Sequence, residues 1–370
     1  MIVFIHLLND RSGSPKVLCS VIAALSRDLN CSRLFIGSDG TGCLDEIDIL
    51  TTRYWYRRMP YRVLTLLTYL LSQFFLFLRL LRTRDIDRDA ILYVNTLLPF
   101  GAALYGWMTR KTVIYHLHEV SVSPAPLRWL LVAIARLTAH SLIYVSDFHR
   151  KCLPFSGIPT KTVYNALDTS FLALAGLSTY RHRHDGYFRV LMLASLRDYK
   201  GIPEFLALAS RLEVRTDIHF DLVANDDEVA IRRYFATKTV PSNITIYPRT
   251  SNPATHYAQA SLVLNLSRPD LCIETFGLTL LEAMAFGIPV IAPPIGGPVE
   301  LIIDGLEGFL IDCRYIDELE EKVIFLANDE ALCLKLSVGA RQKAARFTPD
   351  AFTQDLRAAL GLQATGLRAL

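Results

Sequence analysis

The chain has 370 residues, of which 51% are hydrophobic and 20% charged, which excludes a disordered chain and makes two domains the default for its length. Its 39 Lys and Arg against 36 Asp and Glu leave a net charge of +3, but residues 1–165 hold 19 basic against 11 acidic side chains and the remainder 20 against 25. A basic half joined to an acidic half points to an anionic partner for the first half, with nucleic acid and an anionic membrane surface as the two candidates. Seven scattered cysteines without a C-x-x-C spacing argue against a disulfide framework or a zinc site and fit a reducing, cytoplasmic compartment.

In chain order, short apolar runs alternate with helical patterns, the signature of parallel βαβ units. The run Ile2–Leu8 is apolar from the first residue without a basic leader, so it reads as a buried strand rather than a signal peptide. The loop Asn9–Leu18 follows. It lacks the G-x-G-x-x-G pattern of a dinucleotide loop, yet Gly13 and Ser14 allow backbone to approach a ligand, Pro15 can start a helix, and Lys16 supplies a cation.

After a strand at Arg33–Ile36 comes the stretch Arg53–Arg84. Sixteen uncharged residues, Val63 to Leu78, stand between Arg53, Arg57, Arg58 and Arg62 on one side and Arg79, Arg82 and Arg84 on the other. That is slightly short for a membrane span and lies between two strands of one sheet. Two readings stay open: a long helix buried against the sheet, or a monotopic helix with Tyr54, Trp55 and Tyr56 at a membrane interface and the arginines on lipid phosphates.

Strands are expected next at Ala90–Asn95, Thr112–His116 and Ser141–Val145. The second of these ends in Tyr115-His116-Leu117-His118-Glu119. His116 and His118 share one face of a strand and in principle chelate a metal, but no third ligand is signalled, so no metal is assigned. The first domain is expected to end near Asn165, giving 1–165 and 166–347, with a C-terminal amphipathic helix and tail over 348–370 packing back across the domains.

In the second half, strands are expected at Arg189–Ala194, His219–Val223, Ile244–Tyr247, Leu262–Asn265, Pro289–Ile291 and Gly308–Ile311. Arg197 and Lys200 follow the first of them, in the loop Leu196–Gly201 before a helix, where two cations can neutralise a diphosphate leaving group. Leu262–Ser267 leads into Glu274-Thr275-Phe276-Gly277-Leu278 and Glu282. A glycine beside a helix start brings backbone N–H groups close to an anion. The flanking carboxylates suit sugar or ribose hydroxyls. The fold class is therefore α/β, two doubly wound parallel sheets whose ligands bind beyond the carboxyl ends of the strands.

The stretch Ser267 to Asp312, with Glu274–Leu278, Leu281–Ala285, Gly287–Ile291, Gly296–Glu300 and Glu307–Asp312, resembles the group 1 retaining glycosyltransferases of bacterial surface-polysaccharide type. The resemblance implies the GT-B architecture, two facing Rossmann-like domains with an interdomain cleft, and a nucleotide-diphosphate sugar as co-substrate with no other cofactor and no metal. It would place Glu274 on donor sugar hydroxyls, Glu282 on the nucleotide ribose, and the backbone of Thr275, Phe276, Gly277 and Leu278 along sugar and diphosphate. It would put Lys200 on the donor phosphates. The family's arginine falls five residues before that lysine, where this chain has Ser195, so Arg197 would have to substitute from three residues away. By the same resemblance Gly13 and Ser14 border the donor phosphates, Lys16 lies near donor phosphate and acceptor, His118 stands by the reacting sugar carbon, and Glu119 and the loop from Ser121 face the acceptor. The expected acceptor is a glycan or lipid-linked sugar at the cytoplasmic face of the inner membrane, with peripheral membrane contact through Arg53–Arg84. Rival readings are a sugar-nucleotide epimerase or hydrolase of the same fold, and a nucleic-acid-binding protein using the basic half. The arginines cluster around an apolar helix rather than among stacking aromatics, so no nucleic acid is expected.

Overall fold

The computed structural model describes residues 1–26, 32–120 and 122–362. Ser121 and residues 363–370 of the expected tail lie outside them. The chain divides into two compact units, residues 1–165 with 349–370, and residues 166–348.

The first unit is built on seven parallel strands: β1 Ile2–His6, β2 Arg33–Gly37, β3 Leu50–Tyr54, β4 Ile91–Asn95, β5 Thr112–Leu117, β6 Ser141–Tyr144 and β7 Thr160–Thr162, in the order β3-β2-β1-β4-β5-β6-β7. β1 is buried along its whole length, as expected of a strand covered by helices on both faces. It pairs Val3 with Arg33 of β2 on one side and Ile2 with Ile91 of β4 on the other. Right-handed crossovers put the helix Gly13–Ala24, which joins β1 to β2, on one face of the sheet. The helices Arg62–Arg82, Phe100–Thr109 and Ala125–Thr138 join strands running the other way across the sheet and form a layer on the opposite face. The helix Pro349–Ala359 buries Phe352 and Leu356 and packs on Gly13–Ala24, with Lys161 paired to Asp355 at 3.1 Å.

The helix Arg62–Arg82 takes something from each of the two readings of its sequence. Tyr69, Ser72, Gln73, Leu76 and Leu80 are buried, while Leu67, Leu71 and Phe74 on its other side are exposed. The residues before it do not sit as the membrane reading expects. Tyr54 ends β3 and donates its hydroxyl to the His6 carbonyl at 3.0 Å, Tyr56 is buried, and Arg53 bonds the Asp45 carboxylate at 2.5 Å. Tyr54 and Tyr56 are core residues and Arg53 already has a carboxylate partner. Arg57 and Arg58, which follow, are both exposed.

The second unit holds six parallel strands: β8 Phe188–Ala194, β9 Ile218–Ala224, β10 Ile244–Tyr247, β11 Leu262–Leu264, β12 Val290–Ala292 and β13 Gly308–Leu310, in the order β10-β9-β8-β11-β12-β13. Within each unit the strand order reverses once, between β1 and β4 and between β8 and β11. Such a reversal leaves a crevice at the carboxyl ends of the two central strands, where ligands of doubly wound sheets bind.

Candidate functional site

In the second unit, β8 ends at Ala194 and the chain turns through a single 3₁₀ turn, Asp198–Lys200. Gly201 follows at φ +83°, and a Cβ there would meet the Leu266 carbonyl oxygen at 2.1 Å, so only glycine lets this turn lie against the end of β11. That approach sets Lys200 beside the chain leaving β11. Its Nζ donates to Glu274 Oε2 at 2.9 Å, and Ser267 Oγ donates to the same oxygen at 3.4 Å. Asn265 also hydrogen-bonds the Glu274 carboxylate, and its Oδ1 accepts from the Ser267 N–H at 3.1 Å.

Burial pushes the Glu274 carboxyl up, but the Lys200 charge and the hydrogen bonds from Lys200, Asn265 and Ser267 outweigh it and hold the group below its ordinary value. The Glu274 charge in turn raises Lys200 against its own burial. Both groups stay ionised at neutral pH, a preformed cation and anion at the switch point of the sheet.

The backbone after Glu274 runs through Thr275 and Phe276 to Gly277 at φ +96°, and the helix Leu278–Ala285 starts there. The leading N–H groups of that helix lie outside its own ladder. Phe276 turns its ring inward onto Phe347, with centroids 5.9 Å apart, so the segment offers a ligand its backbone. Gly297 N–H donates to the Glu274 carbonyl at 2.8 Å and braces the segment from behind. Glu282 lies one turn into the helix, buried, and accepts the Tyr257 hydroxyl proton at 2.7 Å. Burial first, then the Glu282 charge, keeps the Tyr257 phenol protonated. Arg197 is exposed, and its backbone hydrogen-bonds to Ser195 and Lys200. The structure thus brings Lys200 to Glu274 and leaves Arg197 outside the cluster.

In the first unit, the corresponding strand ends carry a polar network. Asn95, the last residue of β4, donates from Nδ2 to the Ser14 carbonyl at 3.1 Å, and His6 Nδ1 lies 3.1 Å from that Nδ2 and 3.3 Å from the Asn95 carbonyl oxygen. Its Oδ1 is then an acceptor, so His118 Nε2 carries the proton that spans 2.9 Å to it. Burial, with His116, His6 and His149 around it, drives His118 well below its ordinary value. His118 is a neutral donor that Asn95 holds in one orientation.

His116 lies tilted against it at 4.4 Å between centroids, is lowered to about 3 by burial, and has its Nδ1 2.6 Å from the Tyr93 hydroxyl. Among the described residues no three His, Cys, Asp or Glu side chains are grouped to hold a metal. Glu119 is half-buried. Burial pushes it up to about 7 against hydrogen bonds from the His118 and Leu97 N–H groups, both at 3.4 Å. Beside it Thr96 stands at φ +76°, a conformation a β-branched residue adopts at a cost of about 1–3 kcal/mol and that clusters at functional sites. The helix Gly13–Ala24 begins two residues before Pro15. Nothing lies within 4 Å of where a side chain would start at Gly13, so its backbone is open to approach, and Lys16 is exposed on the same first turn.

Sequence reasoning did not single out Asn95, Thr96, Asn265 or Ser267. The signal was their position: Asn95 and Asn265 are the first polar residues at the carboxyl ends of β4 and β11, and Thr96 and Ser267 are the next.

Comparison with known proteins adds the following. Residues 181–343 match the family described as glycosyl transferases group 1. The N-acetyl-alpha-D-glucosaminyl L-malate synthase of Bacillus anthracis is 25% identical over 213 residues, covering 56% of this chain and 54% of that protein. A sucrose synthase of Denitrovibrio acetiphilus is 51% identical over 51 residues, 14% of this chain and 6% of that one. The chain thus spans about half, or less, of the length of the curated relatives it matches. Among solved structures, Anabaena HepE in complex with UDP-glucose superposes with a TM-score of 0.76 at 20% identity, covering 97% of this chain and 99% of that one. The lipopolysaccharide outer core galactosyltransferase WaaB does so at 0.67 and 17%, covering 97% and 99%. These likenesses show a shared fold, the two-sheet GT-B architecture.

Proposed function

For this chain of GT-B fold, whose residues 181–343 match the family described as glycosyl transferases group 1, we propose a retaining, metal-independent glycosyltransferase that uses a nucleotide-diphosphate sugar. The observation that carries the reading is the ionised Lys200–Glu274 pair at the β8–β11 switch point, 2.9 Å apart and beside the Gly277 helix start. A cation and a helix N-terminus together suit a departing diphosphate. An ionised carboxylate at the same place suits the sugar hydroxyls. The complex of HepE with UDP-glucose supports a nucleotide-sugar donor.

In this reading Lys200 and the backbone of Thr275–Leu278 bind the diphosphate, Glu274 holds the sugar, and Glu282 takes the ribose with its remaining hydrogen-bonding capacity. His118, a neutral donor oriented by Asn95, contacts the donor sugar, while Glu119 and Lys16 belong to acceptor binding in the first unit. The acceptor hydroxyl attacks from the side of the leaving group, so no protein nucleophile is needed. The acceptor is a lipid-linked sugar or growing surface glycan, with the enzyme peripheral at the cytoplasmic face of the membrane. The resemblance to WaaB supports that class.

The test is a thermal-shift panel of UDP- and GDP-sugars in the presence of a chelator, followed by product analysis. One donor should raise the melting temperature and be consumed only when an acceptor is added. Glu274→Ala should abolish transfer while the protein stays folded. Consumption without an acceptor would instead indicate an epimerase or hydrolase, and near-normal transfer by Glu274→Ala would refute the donor assignment.

A further inference from the structure

The helices Arg62–Arg82, Phe100–Thr109 and Ala125–Thr138 form one layer over the first sheet and contain no Asp or Glu. Their charged residues are Arg62, Arg79, Arg82, Arg128 and Arg136, all exposed and all within two or three residues of a helix end. Between these ends the outer side is apolar: Leu67 is 57% exposed and Phe74 55%. The chain has three tryptophans, and all three lie on this layer or its border. Trp55 is 41% exposed, Trp107 51% and Trp129 80%, and Trp55 sits edge-on to Phe75 at 5.6 Å. A protein with an ample core has room to bury its indoles. Exposed indoles over an aliphatic surface rimmed by arginine are the composition of a membrane interface.

Among the described residues only the helix Arg62–Arg82 is long and apolar enough to cross a bilayer, but its inner side is tied down. Tyr69 donates its hydroxyl to the Leu98 carbonyl at 2.7 Å, Gln73 Oε1 accepts from the Gly101 N–H at 3.2 Å, and Leu76 and Leu80 are fully buried. Leaving the sheet would expose these groups, so the helix stays in the plane of its layer and offers only its outer side.

We propose that the outer side of this three-helix layer is a docking surface for an anionic lipid bilayer, with Trp107, Trp129, Leu67 and Phe74 entering the headgroup region and the five arginines on lipid phosphates. The inference rests on the membrane contact in the proposed function and extends it from one helix to a face. Charge selects the occupant. A second copy of this chain would set five arginines against five, with no carboxylate on the three helices of either copy to answer them. Nucleic acid would need cations and stacking rings interleaved, whereas here the arginines sit at the helix ends and the middle is aliphatic. An anionic bilayer satisfies both parts at once.

The test uses the full chain with vesicles of phosphatidylcholine alone or mixed with phosphatidylglycerol, read by co-sedimentation and tryptophan emission. Wild type should bind the mixed vesicles, shift its emission to shorter wavelength, and release as salt rises. Phe74→Asp and Trp129→Asp, both at solvent-facing positions, should each lower partitioning about tenfold or more, with melting temperature and the donor-induced thermal shift unchanged. Absence of wild-type binding to anionic vesicles would overturn the proposal. So would equal binding by both variants, or nucleic-acid binding or self-association lost through the same substitutions. Donor binding is read separately, so its failure with vesicle binding intact would count against the enzymatic reading and not against this surface.

Discussion

Replacing Lys200 with methionine keeps the aliphatic stem and deletes the ammonium 2.9 Å from Glu274. At an effective dielectric of ~20, two unit charges at that separation attract by about 6 kcal/mol. The lysine's own desolvation, its side chain being 27% exposed, takes back part of it, but the carboxylate, 19% exposed, is left without its partner, a loss of about 3 kcal/mol in stability. The sign of the pH dependence is more telling than its size. In the wild type the folded Glu274 value lies below the unfolded one of about 4.3, so its contribution is present above that pH and is lost as pH falls through the folded value. Without Lys200 only the hydrogen bonds from Asn265 and Ser267 oppose burial, the largest single influence, so the folded value is expected to rise above the unfolded one. The variant should therefore gain stability, relative to neutral pH, where the wild type loses it. The assay is thermal unfolding from acid to neutral pH, alongside transfer from the donor found in the thermal-shift panel. Transfer should fall by about 10²–10³-fold, the usual consequence of removing one group that stabilises developing charge. Transfer within threefold of wild type, or an acid limb parallel to the wild type's, would refute the role of the pair.

Glu119→Gln should flatten a second pH dependence. Burial raises Glu119 to about 7, so its contribution to stability is fully present below the unfolded value of about 4.3 and is lost as pH rises through about 7, a swing of about 2–3 kcal/mol. Melting temperatures from pH 5 to 8 should decline less in the glutamine variant, and parallel curves would count against it. Gly201→Ala should cost about 2 kcal/mol or more in stability and on the order of 10²-fold in transfer, because the new Cβ meets the Leu266 carbonyl at 2.1 Å and displaces Lys200. Unchanged kinetics would show that the turn tolerates the shift.

The central strands were readable because sheets covered on both faces demand continuous apolar runs, as in β1 and β8. The edge strands β3, Leu-Thr-Thr-Arg-Tyr, and β7, Thr-Lys-Thr, escaped: each pairs on one side only and carries polar residues that read as loop. That omission had a consequence, because Tyr54, expected at a membrane interface, is a buried residue of β3. At the candidate site, charge and spacing drew attention to Lys200, Glu274 and Glu282, whereas His118 was separated from His116 only by the family resemblance. Asn95 and Thr96 were not, since an Asn-Thr pair after a strand is indistinguishable in sequence from an ordinary turn. Only the register of β4 on β5, with Asn95 opposite His116, brings Asn95 to His118.

The placement of the three tryptophans has a practical corollary. Residues 166–348 contain none, so indole fluorescence is blind to the second unit and reports on the first alone. Unfolding followed by tryptophan emission and by circular dichroism need not coincide in this protein, and a gap between the two curves would resolve the stabilities of its halves without cutting the chain. Trp129 is already 80% exposed in the native state, so its emission should change little on unfolding. It is a natural probe for whatever covers it.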